Sequence, residues 1–406
     1  MVKKILTISK RAKETQFSPI RKFVPLLEEV KKRGIDVLEL HIGQPDLITP
    51  DEILKRIRNF NDKILSYTPS PGILETRHAW QKYYKSVGIN FDVSDIIVTI
   101  GGSEAIFFAF ATICSPGEEI IVFEPFYTNY NGYASMTGIR LIPLRTFAET
   151  GFHFPNKRTI ENKINKKTRG ILICNPNNPT GTVYKKKELI MIAAIAEKHN
   201  LFILSDETYR EFVYDGEKHY SMMDFPNIRD RVVLLDSISK RFNACGSRIG
   251  CLASKNKEII ESATKFAQAR LSAPTIEQIA AVPLLENSKQ YTKKIAGEYK
   301  KRRNVVFEAI QKIPNIVCLK PKGAFYIIIK LPVRNSEHFT NWLLAEFSLR
   351  GKAIMVAPAA GFYATKNLGK DEIRIAFVLS CQKLREAMEI LKKGLEKYLR
   401  LFGRTK

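Results

Sequence analysis

Long apolar runs are missing from this sequence. No segment approaches the roughly 18 consecutive apolar residues that a spanning helix requires, so an integral membrane protein is not expected. The start, M-V-K-K-I-L-T-I-S-K-R-A-K, is charged like a signal peptide, but its apolar segment Ile5-Leu6-Thr7-Ile8 is far too short for an h-region. The six cysteines (Cys114, Cys174, Cys245, Cys251, Cys318, Cys381) form no C-x-x-C pair, and no histidine spacing suits zinc. Neither a disulfide framework nor a metal site is therefore expected. Most of these thiols sit inside apolar runs, as small buried hydrophobes do in a reducing compartment, and a cytoplasmic protein is expected.

Acidic residues are scarce beside basic ones, 41 against 65, which leaves a formal net charge of +24. The basic runs (Lys185 to Lys187, Lys300 to Arg303, Lys392-Lys393) are spread along the chain on polar faces of helical patterns. No basic stripe with base-reading aromatics and no finger pattern accompanies them, so a nucleic-acid partner is not expected. The charge still favours anionic substrates. Internal repeats and low-complexity linkers are also lacking.

What is present is enough to build a large core: 406 residues, 45% of them hydrophobic, a length that suits two domains. From about residue 96 to 254, short apolar runs alternate with helical patterns. The runs are 96–99, 120–123, 171–174, 202–205, 232–235 and 249–253, with helices expected at Ser103 to Cys114 and Glu188 to Asn200. Runs apolar on both faces and separated by helices indicate a mainly parallel sheet covered on both sides, with its ligand crevice at the strands' carboxyl ends. After Pro274 the pattern becomes α+β: a long helix from about Lys289 to Ile313, strands Ile316 to Leu319 and Ala324 to Leu331, helix Glu337 to Leu349, strand Glu372 to Leu379, and a closing helix Gln382 to Leu401. An N-terminal segment, residues 1–48, with a helix near Ile20 to Gly34, is expected to pack on this smaller C-terminal domain of residues 289–406. Residues 49–288 form the large domain.

Three strand ends carry chemistry. Asn175-Pro176-Asn177-Asn178-Pro179-Thr180-Gly181 is a rigid turn that presents amide donors. Asp206-Glu207-Thr208-Tyr209 sets a phenol three residues after a carboxylate, and Ser237-Ile238-Ser239-Lys240 sets an amine among hydroxyls. Any one of these could be an ordinary loop, cap or surface charge. Together they describe a site for a ligand with a basic ring nitrogen, an acceptor oxygen and an aldehyde. Gly101-Gly102-Ser103, opening a helix, offers free N–H groups to a phosphate, and Arg248 could clamp it.

This ordered set resembles the pyridoxal-phosphate-dependent aminotransferases of fold type I, class I/II, the aspartate aminotransferase superfamily, from Gly43-Gln44-Pro45-Asp46 to Ile373-Arg374-Ile375-Ala376-Phe377. The resemblance implies an α/β fold: a large domain with a mainly parallel seven-stranded sheet covered by helices on both faces, plus a smaller α+β domain formed by the N-terminal segment and the C-terminal part. It implies pyridoxal 5'-phosphate as cofactor, linked to Lys240 as a Schiff base, with Lys240 later moving the substrate's proton. Asp206 is then the partner of the ring nitrogen, and Asn178 and Tyr209 those of the phenolic oxygen. Gly102, Ser103, Ser237 and Arg248 hold the phosphate, and Tyr127 stacks on the ring. Tyr67 reaches the neighbouring subunit's phosphate, which implies a homodimer with shared active sites. Arg374, assisted by Gly43 and Asn178, takes the substrate carboxylate. Ser239 is given no role.

Substrate choice is less constrained. Some aspartate-specific members carry lysine where this chain has Ser103. Arg270 is weighed as the reader of a side-chain carboxylate against a structural role. Ser18-Pro19-Ile20 is expected to line the mouth, where Phe17 would suit an aromatic substrate. The expected activity is ping-pong amino transfer from an L-amino acid, aspartate first, to a 2-oxo acid such as 2-oxoglutarate. The alternatives are an aromatic or broad-specificity aminotransferase, a lyase on the same cofactor, and a non-catalytic cofactor-binding regulator. The last is disfavoured because the fold begins almost at residue 1, leaving no room for a helix-turn-helix module.

Overall fold

The computed structural model describes residues 6–403. Residues 1–5, which include Ile5 of the leader-like start, and residues 404–406 lie outside the described residues. The outer ends of the segments 1–48 and 289–406 therefore fall outside them too. No helix among the described residues is long and apolar enough to cross a membrane.

Twelve strands are numbered here in chain order: β1 (Asp36–Glu39), β2 (Ile96–Ile100), β3 (Glu119–Glu124), β4 (Arg140–Arg145), β5 (Thr168–Cys174), β6 (Phe202–Asp206), β7 (Val232–Ser237), β8 (Ile249–Ala253), β9 (Tyr326–Lys330), β10 (Lys352–Met355), β11 (Ala357–Pro358) and β12 (Glu372–Ala376). Strands β2 to β8 form one seven-stranded sheet in the order β2-β8-β7-β6-β5-β3-β4. Only β8 runs antiparallel to its neighbours, which makes the sheet mainly parallel, as expected.

Apolar residues on both faces of each strand account for the layering. Ile121, Ile171, Ile203 and Val232 face one hydrophobic cluster, where helices Leu74–Ser86, Lys186–Lys198 and Thr275–Glu286 supply Trp80, Leu189 and Ala280. Their strand neighbours Ile120, Leu172, Leu204 and Val233 face the other, with Phe110 of helix Gly101–Ile113 and Ala263 of helix Lys257–Arg270. Alternation of this kind needs a helical layer on each side.

In the large sheet β4 escaped the sequence reading, as β1, β10 and β11 did in the smaller body. Pro143 of β4, paired with Val122 of β3, interrupts the apolar pattern. An edge strand tolerates the missing N–H.

In the second body, β11-β12-β9 form an antiparallel sheet, and β1 of the N-terminal segment pairs in parallel with β10. The backbone of Leu40 continues the link, donating to Met355 and accepting from Ala376, each at 2.8 Å. Two expectations need correction here. Residues 316–319 are not a strand: Val317 alone bridges to Lys330, and Pro321 then turns the chain onto Gly181. The helix expected to reach Leu349 spans Ser336–Ala345. Arg350 and Gly351, both at positive φ, turn the chain back so that Leu349 pairs with Lys352.

Candidate active site

Strands β2, β3, β5, β6 and β7 all end on one edge of the large sheet, and antiparallel β8 begins there. Chain segments leaving this edge meet β9, β12 and residues 18–44 around a crevice of about 500 Å³. Its lining includes Gly43, Gly102, Ser103, Tyr127, Asn178, Asp206, Tyr209, Ser237, Lys240, Arg248 and Arg374, so eleven of the residues singled out in the sequence share one space.

Asp206 ends β6 and is buried. Its Oδ2 accepts from the Tyr130 hydroxyl at 2.7 Å and its Oδ1 from the Thr208 amide at 3.2 Å. No cation among the described residues pairs with it. Burial pushes its pKa up, against the pull of those two hydrogen bonds. Tyr209 lies further along, its hydroxyl 3.3 Å from Asn178 Nδ2 and 2.9 Å from the hydroxyl of Tyr326. Burial raises the phenols of Tyr127, Tyr130 and Tyr209, which keeps them protonated and able to donate.

Lys240 sits on the one-turn helix Ile238–Arg241, which Ser237 caps by accepting from the Ser239 amide. Its Nζ donates to the Gly43 carbonyl at 2.8 Å and lies 3.6 Å from Cys245 Sγ. Arg248, at positive φ, turns its guanidinium toward the start of helix Gly101–Ile113, with Nη1 donating to the Cys245 carbonyl at 2.8 Å and reaching Ser239 Oγ at 3.5 Å. Glycine is required at 101, where φ is +71° and a Cβ would fall 2.4 Å from Arg248 Nη2.

Arg374, in the centre of β12, is 2% exposed. It donates to Asn178 Oδ1 at 3.2 Å and to the His41 carbonyl, with its guanidinium 4.6 Å from the ring centroids of both Tyr326 and Phe362. No carboxylate among the described residues pairs with it, its Nε has no hydrogen-bond partner, and burial depresses its pKa. Gly43 packs under Tyr326 so closely that a Cβ would come within 1.8 Å of its hydroxyl.

Two expected residues lie outside the crevice. Tyr67 is 80% exposed on the surface of its own chain. Arg270 turns away, donating to the carbonyls of Ser70 and Val98 at 3.2 and 3.3 Å and lying 3.7 Å from Glu104. Within its own chain Arg270 thus braces the end of its helix against the β2 region.

The sequence reading missed Tyr326, Tyr130, Thr208, Cys245 and Arg21, which line the crevice or bond to its residues. Ser239, given no role there, lies beside Arg248. Tyr326 had a usable signal: it follows Gly323-Ala324-Phe325 at the start of a strand that meets the expected ligand edge.

A crevice at the carboxyl edge of a doubly wound sheet, holding a buried acid without a cation and a buried arginine without an anion, defines an α/β enzyme site built for a charged small molecule. Comparison with known proteins carries the assignment further. The model for "Aminotransferase class I and II" matches residues 35–391. An aspartate aminotransferase of Pyrococcus horikoshii is 34% identical over 89% of this chain and 91% of its own. An aromatic-amino-acid aminotransferase of Thermococcus litoralis is 33% identical over 96% and 99%. Among solved structures, aspartate aminotransferase from Thermus thermophilus with maleate superposes with a TM-score of 0.87 at 26% identity, covering 96% of this chain and all of that one (100%). The chain belongs to the class I and II aminotransferases, the pyridoxal-phosphate-dependent enzymes of the aspartate aminotransferase fold.

Proposed function

We propose that this protein transfers the amino group of an L-amino acid, aspartate foremost, to 2-oxoglutarate by ping-pong exchange, as a cytoplasmic homodimer. One observation carries the site reading: the unpaired buried carboxylate of Asp206 and the unpaired buried guanidinium of Arg374 share a crevice. Isolated buried charges are costly, and a ligand bearing both signs would relieve both.

The residues fit pyridoxal phosphate. Asp206 would hold the protonated ring nitrogen, and that cation would in turn keep Asp206 ionised. Asn178 and Tyr209 would donate to the phenolic oxygen, and Tyr127 would cover the ring. Gly102, Ser103, Ser237 and Arg248 would hold the phosphate at the amino end of helix Gly101–Ile113, and the position of Ser239 beside Arg248 supports a place for it there as well. When bound, the cofactor supplies the electron sink that makes the substrate's alpha proton removable. The amine of Lys240, held between the Gly43 carbonyl and Cys245, would take that proton from the substrate's alpha carbon and hand it to the cofactor on the far side of the transferred nitrogen. Arg374 would fix the substrate carboxylate as a planar fork, with Asn178 orienting the guanidinium.

The homodimer is supported by an apolar exposed patch, with Ile64 at 78%, Leu65 at 63% and Tyr67 at 80% exposure. Such a patch needs cover, and Tyr67 from a second copy would add a hydroxyl to the neighbouring phosphate. A second substrate reading, an aromatic donor, is favoured by Phe17, 96% exposed beside the mouth residue Ser18. The same reading draws on the Thermococcus litoralis relative named for aromatic amino acids.

The test is a panel of donors added to the cofactor-loaded enzyme without acceptor. Amino transfer predicts a lasting loss of the visible band with 2-oxo acid released and no ammonia. Ammonia release with recovery of the band would mark a lyase instead. Rates for aspartate, phenylalanine and alanine then rank the donors.

A further inference from the structure

The crevice lining holds four basic side chains, Lys240, Arg248, Arg374 and Arg21, and Asp206 is its only carboxylate among the described residues. The proposed function employs three of these cations: Lys240 at the cofactor aldehyde, Arg248 at the phosphate and Arg374 at the alpha carboxylate. Arg21 is left over. Its side chain pairs with no carboxylate among the described residues, whereas its neighbour Lys22 is engaged with Glu337 at 2.6 Å.

The packing of its segment shows which end of the crevice Arg21 serves. Pro19 lies against Gly361, where an added Cβ would fall 2.2 Å from the proline Cβ. Ile20 packs against the cluster that contains Phe362 and Tyr363. Phe362 in turn faces the guanidinium of Arg374. The short helix Arg21–Phe23 thus begins at the Arg374 end, where the substrate side chain must lie once Arg374 has taken the alpha carboxylate.

We infer that Arg21 is the specificity-determining residue for acidic substrates, pairing with the second carboxylate of a dicarboxylic amino or 2-oxo acid. This inference rests on the aminotransferase reading above. It assigns to the N-terminal segment the role first weighed for Arg270, which is occupied by Glu104 and two backbone carbonyls. A guanidinium that is solvated when the site is free and paired when it is filled avoids a standing burial cost and discriminates by charge.

The test compares Kd values of succinate and propionate for the cofactor-loaded enzyme by titration calorimetry. These probes share one carboxylate and differ by the second. Arg21→Ala should lower the preference for succinate over propionate by about 10- to 100-fold, the range of a charge-assisted hydrogen bond. Arg21→Lys should retain much of it, and Arg374→Ala should weaken both acids. An unchanged ratio in Arg21→Ala, or equal weakening of both probes, would overturn the inference. Single-turnover half-reactions of the unaltered enzyme with aspartate, phenylalanine and alanine serve as the separate check. If none of the three reacts, the aminotransferase reading fails, whatever the binding ratio shows.

Discussion

Asp206 and Glu207 are adjacent at the end of one strand, yet they meet opposite fates. Glu207 points behind the sheet edge, where it pairs with Arg210 and lies 3.1 Å from His219, with the hydroxyls of Ser205 and Ser221 at 2.8 and 2.7 Å. Burial alone would raise its pKa, but Arg210, His219 and Ser221 outweigh that and hold the carboxyl at about 2. Close by, Asp236 and Arg241 form a fully buried pair, with Nη2 3.0 and 2.9 Å from the two carboxylate oxygens. On the crevice side, Asp206 and Arg374 are also buried, and neither pairs with an opposite charge among the described residues. The rear of the edge is closed by the chain's own ion pairs. The front keeps the same kinds of group unpaired, and that difference separates scaffold from site.

Five substitutions would break or sharpen this contrast. The largest effect should come from Lys240→Ala, which removes the proton carrier and should lower kcat by about 10^4-fold with loss of the visible cofactor band. Retention of both under steady-state assay and absorbance scanning would sink the assignment. Arg241→Ala strikes the closed side instead. It strands Asp236 in the interior and should cost about 3–5 kcal/mol in urea unfolding. Arg374→Ala, on the open side, should lower kcat/KM about 100-fold while leaving the unfolding midpoint of the ligand-free protein unchanged or higher. A midpoint that falls as far as that of Arg241→Ala would erase the distinction between front and rear.

The smallest effect is in the pH dependence. The folded pKa of Glu207 is depressed from 4.5 to about 2, so its stabilising contribution is whole above pH 4.5 and is lost as pH falls toward 2. The pKa of Asp206 is raised above 3.8, so its ionisation works against the fold as pH rises past that value. Glu207→Gln should therefore flatten the acid side of the stability curve. Asp206→Asn should steepen that slope, because it removes a carboxyl whose ionisation opposes folding. Identical acid limbs for the two variants, measured by denaturant titration at a series of pH values, would contradict the opposite signs.

How much of this could be read from the sequence varies along the chain. The ends of β5, β6 and β7 were legible because apolar runs, turn residues and chemistry-bearing side chains coincide there. β4 was hidden by Pro143, and the bridge at Val317 looked like a strand because local apolar content does not reveal whether a partner strand exists. Tyr130 and Tyr326 were invisible as site residues, since their hydroxyls act across 76 and 117 positions of sequence. Arg270 and Arg21 teach the same lesson in reverse. The family resemblance pointed to the first, while chain packing brought the second to the crevice and turned the first toward Glu104.

The most direct measurement is thermal unfolding of the unaltered protein and of Asp206→Asn, each without and with pyridoxal phosphate. If Asp206 is a charge held in reserve for the ligand, the ligand-free variant should melt at the same temperature or higher, because the cost of a buried unpaired carboxylate is gone. It should also gain less from added pyridoxal phosphate than the unaltered protein does. A lower midpoint without ligand, together with an undiminished gain on adding it, would show that Asp206 belongs to the scaffold and not to the site.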